Sequence, residues 1–450
     1  MPETQTSQTS QTSYVPRLNL FDAAMAVVGG IIGGGIWRNP AAVAAQVGTP
    51  TLSIAVWVLG GVIALAGAFV FAELGARRPQ AGGGYVYLRD AFGPMPAFLY
   101  GWALLLVINT GALAWVAMNF ATYASELFGF GAGARLPMAM AAIAVLSVIN
   151  FYGVKLGATT QNVLTVLKLG ALAVVIAVGM AASGDAAAAA AAPPKAPVGA
   201  WQIFTVVGAA LVPVLFTYGG WQNTSFIAGE IRDAQKKLPR ALLIGVGIVI
   251  LVYVLASTSY LHALGIGGLA ASKAPASDTM RAAFGEIGGR FIAAGIMIST
   301  FGFLNLVILA SPRVYQAMAA DGVFFQSVAR LHPRYRTPWL AIVIQAIVTL
   351  AVLGVGKENE LINYNAIGDW IFFGLSGATI FVFRAREARS ALAFRMPFHP
   401  WPSIVFCLAA VYAIFSAVTS ATPIHAATAV GLIVAGIPFY LVWARIIAAP

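Results

Sequence analysis

Residues 29–35 read Gly29-Gly30-Ile31-Ile32-Gly33-Gly34-Gly35, five glycines in seven positions, inside an otherwise apolar stretch from about 20 to 45. Such a stretch is long enough to cross ~30 Å of hydrocarbon as a helix. Each glycine, however, costs roughly 1 kcal/mol relative to alanine in a helix interior. Three glycines in a row therefore predict an unwound segment in mid-span. Within a bilayer, unwound backbone survives only where protein buries it or where it lines a polar cavity. Scattered glycines would favour a plainer reading, close helix–helix packing through small residues; the consecutive triplet favours the break. A phosphate loop does not fit, because the cluster lacks a following Lys-Ser/Thr and a preceding strand.

The rest of the chain sets this stretch in a membrane. Of 450 residues, 60% are hydrophobic and 9% charged, and the mean hydropathy is +0.85. Soluble domains are roughly 45–50% apolar and about 25% charged. Twelve spans are expected, near 20–45, 51–75, 94–128, 136–154, 158–182, 201–229, 239–264, 288–319, 337–355, 361–383, 401–420 and 424–447. They are helices, because lipid leaves no other way to satisfy the backbone in an open chain. The fold class is thus an all-α polytopic membrane protein with 12 transmembrane helices.

The net charge of +11 comes from cations in short loops rather than from a nucleic-acid-binding face. Eighteen of the 26 Lys and Arg fall on the side holding the N-terminus, six on the other, with Arg38 and Lys168 inside spans. That bias places both termini in the cytoplasm of a plasma (bacterial inner) membrane. Residues 1–19 are polar and expected to be disordered, and 183–200, rich in Ala and Pro, reads as an outer linker. Cys407 is the single cysteine and the four histidines are scattered, so no disulfide, metal, cofactor or enzymatic cluster is expected. The expected partners are a small-molecule substrate and membrane lipid, with no nucleic acid, and the chain reads as a monomer.

A second span carries the same anomaly. Pro213 precedes Phe216-Thr217-Tyr218-Gly219-Gly220-Trp221 in the sixth span; the proline removes a backbone donor and the glycine pair weakens the next turn. Interrupted helices thus open two successive five-span blocks, and an odd number of spans inverts the second block relative to the first. Paired breaks in inverted repeats point to a midplane binding site of a transporter. Lys168, some ten positions from either end of its span, is a functional candidate on cost alone: insertion scales charge at least ~2.5–3.5 kcal/mol for such a cation. Glu230 and Asp369 read more plainly as salt-bridge partners at span ends. Arg38 fits either an outer vestibule or the lipid interface, and 77–90, with Gly82-Gly83-Gly84, reads as a mobile cytoplasmic loop.

These motifs resemble the amino acid–polyamine–organocation superfamily, nearest its L-type amino acid transporter branch. Gly30 through Trp37 resembles its G-[IV]-I-G-[ST]-G-I-F signature, Phe216 through Trp221 its F-A-Y-G-G-W-N, and Glu230 through Arg240 its acidic-to-Pro-Arg inner loop. Arg313-Val314-Tyr315 and Ala320-Asp321-Gly322 match the end of its eighth span. Departures are Gly34 for Ser or Thr, Trp37 for Phe, Gln222 for Asn, Ala234 for Pro, an inserted Pro312, and Arg38 at a usually small or apolar position.

The resemblance implies a LeuT-like fold: two inverted five-helix repeats (20–182 and 201–383), broken helices 1 and 6, and two further helices within 384–450. It implies sodium-independent exchange or facilitated flux of neutral amino acids, the alternative being a proton-coupled permease for cationic amino acids or polyamines. The substrate's carboxylate is expected at the amides of Gly33, Gly34 and Gly35, where a half-helix begins. Its ammonium is expected at carbonyls near Ile31, Ile32, Phe216 and Tyr218, beside Gly219. In the family a lysine at the Lys168 position stands where sodium-coupled relatives bind their ion, and Tyr253 matches a tyrosine near both.

Overall fold

Asn19 opens the first helix, α1 (Leu20–Ile31): its side chain accepts from the Asp22 amide at 2.9 Å, while the Asp22 carboxylate accepts from the Asn19 amide at 3.0 Å. This reciprocal cap satisfies two donors that a helix start leaves free. The computed structural model describes residues 13–182, 196–356, 358–387, 392–420 and 423–448, and among these every extended regular element is a helix. After α1 come α2 (Asn39–Val47), α3 (Pro50–Arg77), α4 (Gly84–Phe92), α5 (Pro94–Phe128), α6 (Arg135–Phe151) and α7 (Val154–Ala181). The second half holds α8 (Ala200–Thr217), α9 (Asn223–Phe226), α10 (Ala234–Ala271), α11 (Pro275–Ala310), α12 (Pro312–Ala320), α13 (Trp339–Val355) and α14 (Glu358–Arg386). The chain closes with α15 (Trp401–Ser420), α16 (Pro423–Val434) and α17 (Gly436–Ala448).

Among the described residues, ten helical segments are long and apolar enough to cross a membrane, and α1 and α13 are shorter apolar helices. The ten coincide with ten of the expected spans. The expected spans near 20–45 and 337–355 hold the two shorter ones, because the glycine cluster cuts the first after 12 residues. The expected disordered segment and outer linker fall largely outside the described residues, at 1–12 and 183–195.

The stretch 77–90 is not a loop. Gly82 and Gly83, at φ of +107° and +46°, turn the chain, and α4 follows at once with Tyr85, Val86, Tyr87 and Leu88 buried. Nine residues are too few to cross a bilayer, so the hydropathy pattern gave no sign of a helix lying against the bundle.

Two packed groups frame the breaks. Helix α10 lies against α1, α3 and α7, while α11 lies against α5 and α7. Helices α5, α6, α11 and α13 share a separate apolar core that includes Leu113, Ile143, Val307 and Ile342. On the side of the N-terminus, Lys155 and Asn162 of α7 each reach the Asp22 carboxylate at 2.8 Å and tie α1 to α7.

Candidate functional site

The helix breaks fall where the glycines stand, and the backbone shows why. In α1 the Gly33 amide, which a continuing helix would aim at the Gly29 carbonyl, turns instead to Ile31 at 2.8 Å. A single 3-10 turn follows (Gly35–Trp37), and α2 resumes at Asn39. Between α8 and α9, Gly219 donates to the Phe216 carbonyl at 3.2 Å, and Gly220 takes φ +109° with its amide on the Gln222 side chain at 2.9 Å. A Cβ on Gly220 would strike the Gly30 carbonyl, so glycine is what lets the two breaks cross backbone to backbone.

The glycine cluster performs both tasks weighed from sequence. Gly29 and Gly30 are packing glycines: a Cβ would run into Gln161 and Thr165 at the first and Leu306 at the second. Gly34 has open space around it, and Gly33 has only Phe303 at 3.8 Å.

Lys168 is fully buried, and its ammonium donates to the carbonyls of Gly29 (3.0 Å), Ile32 (2.8 Å) and Ser299 (3.3 Å). It therefore joins the α1 break to α11, and takes up the carbonyl that Gly33 abandons. The Ser299 hydroxyl repeats the link, with 3.2 Å to Ile32 O and 3.1 Å to Gly33 O. Tyr253 makes no hydrogen bond to Lys168. Its hydroxyl lies 3.0 Å from Ile31 O and 3.3 Å from Thr217 O, one contact in each broken helix.

These contacts alter one expectation. The carbonyls of Ile31 and Ile32 were expected to stand free for a ligand, but Ile31 O already takes Gly33 N and Tyr253, and Ile32 O takes Lys168 and Ser299. Among the described residues, the Gly34 and Gly35 amides and the Tyr218 carbonyl carry no hydrogen bond.

A cavity of about 680 Å³ lies at the crossing. Of the residues singled out from sequence, Ile31, Gly33, Gly34, Gly35, Phe216 and Gly219 line it; Ile32, Tyr218, Lys168 and Tyr253 stand behind the wall. Phe216 is 45% exposed. Arg38 lines the cavity rather than a lipid interface, and Lys273, beyond the end of α10, joins it; both are exposed. Lys273 follows the end of α10 remote from the N-terminus, which places the mouth on that side, while Arg38 directly precedes α2 at the break. Sequence reasoning missed Asn39 and Thr217, which tie α2 to α8 at 2.7 Å, and Ser299. Each is a small polar residue in an apolar helix, a signal that becomes specific only once the facing helix is known.

Asp369 is corrected. It sits well inside α14 on the cavity wall, not at a helix end, and forms no ion pair among the described residues. The approach to α14 through residues 358–366 is polar enough to mimic a loop, which hid this placement. Glu230 does pair: Arg313 holds it at 2.8 Å with both side chains buried.

This pair belongs to a seal between the cavity and the side of the N-terminus. Arg17 and Leu18 donate to Glu230 O at 2.8 and 2.9 Å, and Arg89 and Tyr85 meet Asp321 at 2.6 and 2.8 Å. Glu73 binds Arg77 at 2.8 Å and Arg384, and Glu387 binds Arg77 at 2.6 Å and Arg78. Burial alone would raise the Glu387 pKa, but hydrogen bonds and charge from Arg78 and Arg77 hold it below the ordinary carboxylate range.

Known proteins resemble this chain over nearly its whole length. Residues 18–443 match the family model described as amino acid permease. The chain is similar to the serine/threonine exchanger SteT of Bacillus subtilis (strain 168), with 30% identity over 445 residues, 96% of this chain and 98% of that protein. The human b(0,+)-type amino acid transporter 1 is 30% identical over 391 residues, 84% of this chain and 78% of its own. The rat large neutral amino acids transporter small subunit 2 is 31% identical over 384 residues, 82% and 70% of the two chains.

Proposed function

This chain belongs to the amino acid permease family, and from that premise we propose that it exchanges neutral amino acids across a bacterial inner membrane by alternating access, without sodium. It is a transporter and not an enzyme. The reading takes α1 with α2 and α8 with α9 as broken helices 1 and 6 of a LeuT-like fold. It includes twelve crossings, two inverted repeats (20–182 and 201–383), and both termini in the cytoplasm.

The single observation that carries it is the ammonium of Lys168 bridging the α1 break to α11 beside a cavity built on both breaks. An ammonium fixed there replaces a coupling cation and ties the two packed groups without travelling. The substrate carboxylate meets the unpaired Gly34 and Gly35 amides, two free donors on the turn between α1 and α2. The substrate ammonium meets the second break beside Gly219, which lines the cavity. The seal facing the N-terminus and the mouth on the other side are one of the two arrangements that alternating access requires.

Purified protein in liposomes loaded with unlabelled serine, alanine or leucine tests the reading. Carrier exchange predicts transient accumulation of the labelled amino acid, unchanged when choline replaces sodium. A channel or an enzyme gives no such overshoot, and a strict sodium requirement would remove the role given to Lys168.

A further inference from the structure

Two acceptors on α14 are left without donors beside the cavity. Asn365 is 4% exposed and lines the wall; its Nδ2 donates to the Ile108 carbonyl at 2.9 Å, at the end of a π turn in α5 (Leu104–Ile108). With Nδ2 committed there, Oδ1 is the free atom of the amide, buried and without a partner. Asp369 stands four residues on, therefore on the same face of the helix, and its carboxylate has no ion pair among the described residues. A buried acceptor without a donor and an uncompensated carboxylate are both costly. Side by side on a cavity wall, they describe a place for a group rich in donors.

The position of α14 tells which part of a ligand that is. Helix α14 packs chiefly on α15, α5, α4 and α16, not on the broken helices that carry Gly34, Gly35 and Tyr218. An amino acid held by its α-groups at the breaks can therefore reach α14 only with its side chain. The two cations on the wall, Arg38 and Lys273, are exposed to solvent that screens them, whereas Asp369 is half-buried.

We propose that Asn365 and Asp369 form a side-chain subsite that takes the terminal ammonium of a cationic amino acid, so that the carrier admits such substrates beside neutral ones. The inference rests on the exchange reading for the placement of the α-groups. A charge-assisted pair with the carboxylate and a hydrogen bond to Asn365 Oδ1 satisfy both orphan acceptors at once.

Lysine and norleucine differ only by that ammonium, so their competition against labelled substrate isolates it. In wild type, half-inhibition is expected at a lysine concentration about tenfold or more below that of norleucine. In Asp369→Asn the ratio falls toward one, and Asp369→Glu restores a preference for lysine. Should Asp369→Asn not transport, the shift in melting temperature produced by each ligand on the detergent-purified protein gives the same ratio. Equal or better inhibition by norleucine in wild type overturns the subsite, as does an undiminished ratio in Asp369→Asn. Neutral counterflow with a ratio of one leaves exchange standing and removes only this subsite. Absence of counterflow by any amino acid removes the exchange reading, and the melting shifts still decide the subsite.

Discussion

Replacing Lys168 by methionine keeps most of the buried apolar bulk and removes three donors. The three carbonyls do not suffer equally. Ile32 O keeps the Ser299 hydroxyl at 3.2 Å, and Ser299 O lies inside α11, where the helix supplies its partner. Gly29 O alone is orphaned, because the Gly33 amide points to Ile31 O at 2.8 Å. One buried carbonyl without a donor costs about 1–3 kcal/mol. That cost falls on holding the break against α11, the contact that links the two packed groups. At about 1.4 kcal/mol per factor of ten, counterflow by Lys168→Met should slow roughly 5- to 150-fold. The protein should remain folded, since the burial cost of the charge disappears with the lysine. The assay is counterflow in proteoliposomes in sodium and in choline, with cooperative thermal unfolding as the check on folding. A folded Lys168→Met as fast as wild type, or a wild type that needs sodium, refutes the reasoning.

Three smaller perturbations test neighbouring contacts. Tyr253→Phe removes the hydroxyl that touches Ile31 O and Thr217 O but keeps the ring against Trp57 and Tyr218; at about 1 kcal/mol net for such hydrogen bonds, counterflow should fall roughly fivefold with little change in melting temperature. Gly34→Ser enters open space and should leave the melting temperature unchanged, whereas Gly220→Ala meets the Gly30 backbone at φ +109° and should destabilise by about 1–3 kcal/mol, read as a lower melting temperature. Glu387→Gln should destabilise at pH 7 by about 0.2–1 kcal/mol. Because the folded pKa of Glu387 is lowered from 4.5, its contribution is present above that value and lost as pH falls through the lowered one. The difference in melting temperature between wild type and variant should therefore be constant from pH 6 to 8 and close only below the ordinary carboxylate range.

Local chemistry determined much of this protein in advance. Apolar runs became helices because a bilayer offers the backbone no other partner, and ten expected spans stand as expected. The breaks at Gly33–Gly35 and Gly219–Gly220 were legible because glycine weakens a helix wherever it stands, whatever packs nearby. Lys168 declared itself by the cost of a cation far from either end of its span. What it binds did not: Gly29, Ile32 and Ser299 lie more than 130 residues away, and no spacing in the chain encodes their meeting. The same holds for Tyr253 bridging both breaks, for Asn39 on Thr217, and for Glu230 on Arg313. Helix α4 was read as a loop because its burial comes from the bundle it lies on, and Asp369 as a salt bridge because its surroundings belong to other helices. Propensity and hydropathy are properties of a segment and can be read from it. Which carbonyl a lysine reaches, and whether a carboxylate meets a cation or an open cavity, depends on side chains brought together by packing, and only the tertiary structure decides that.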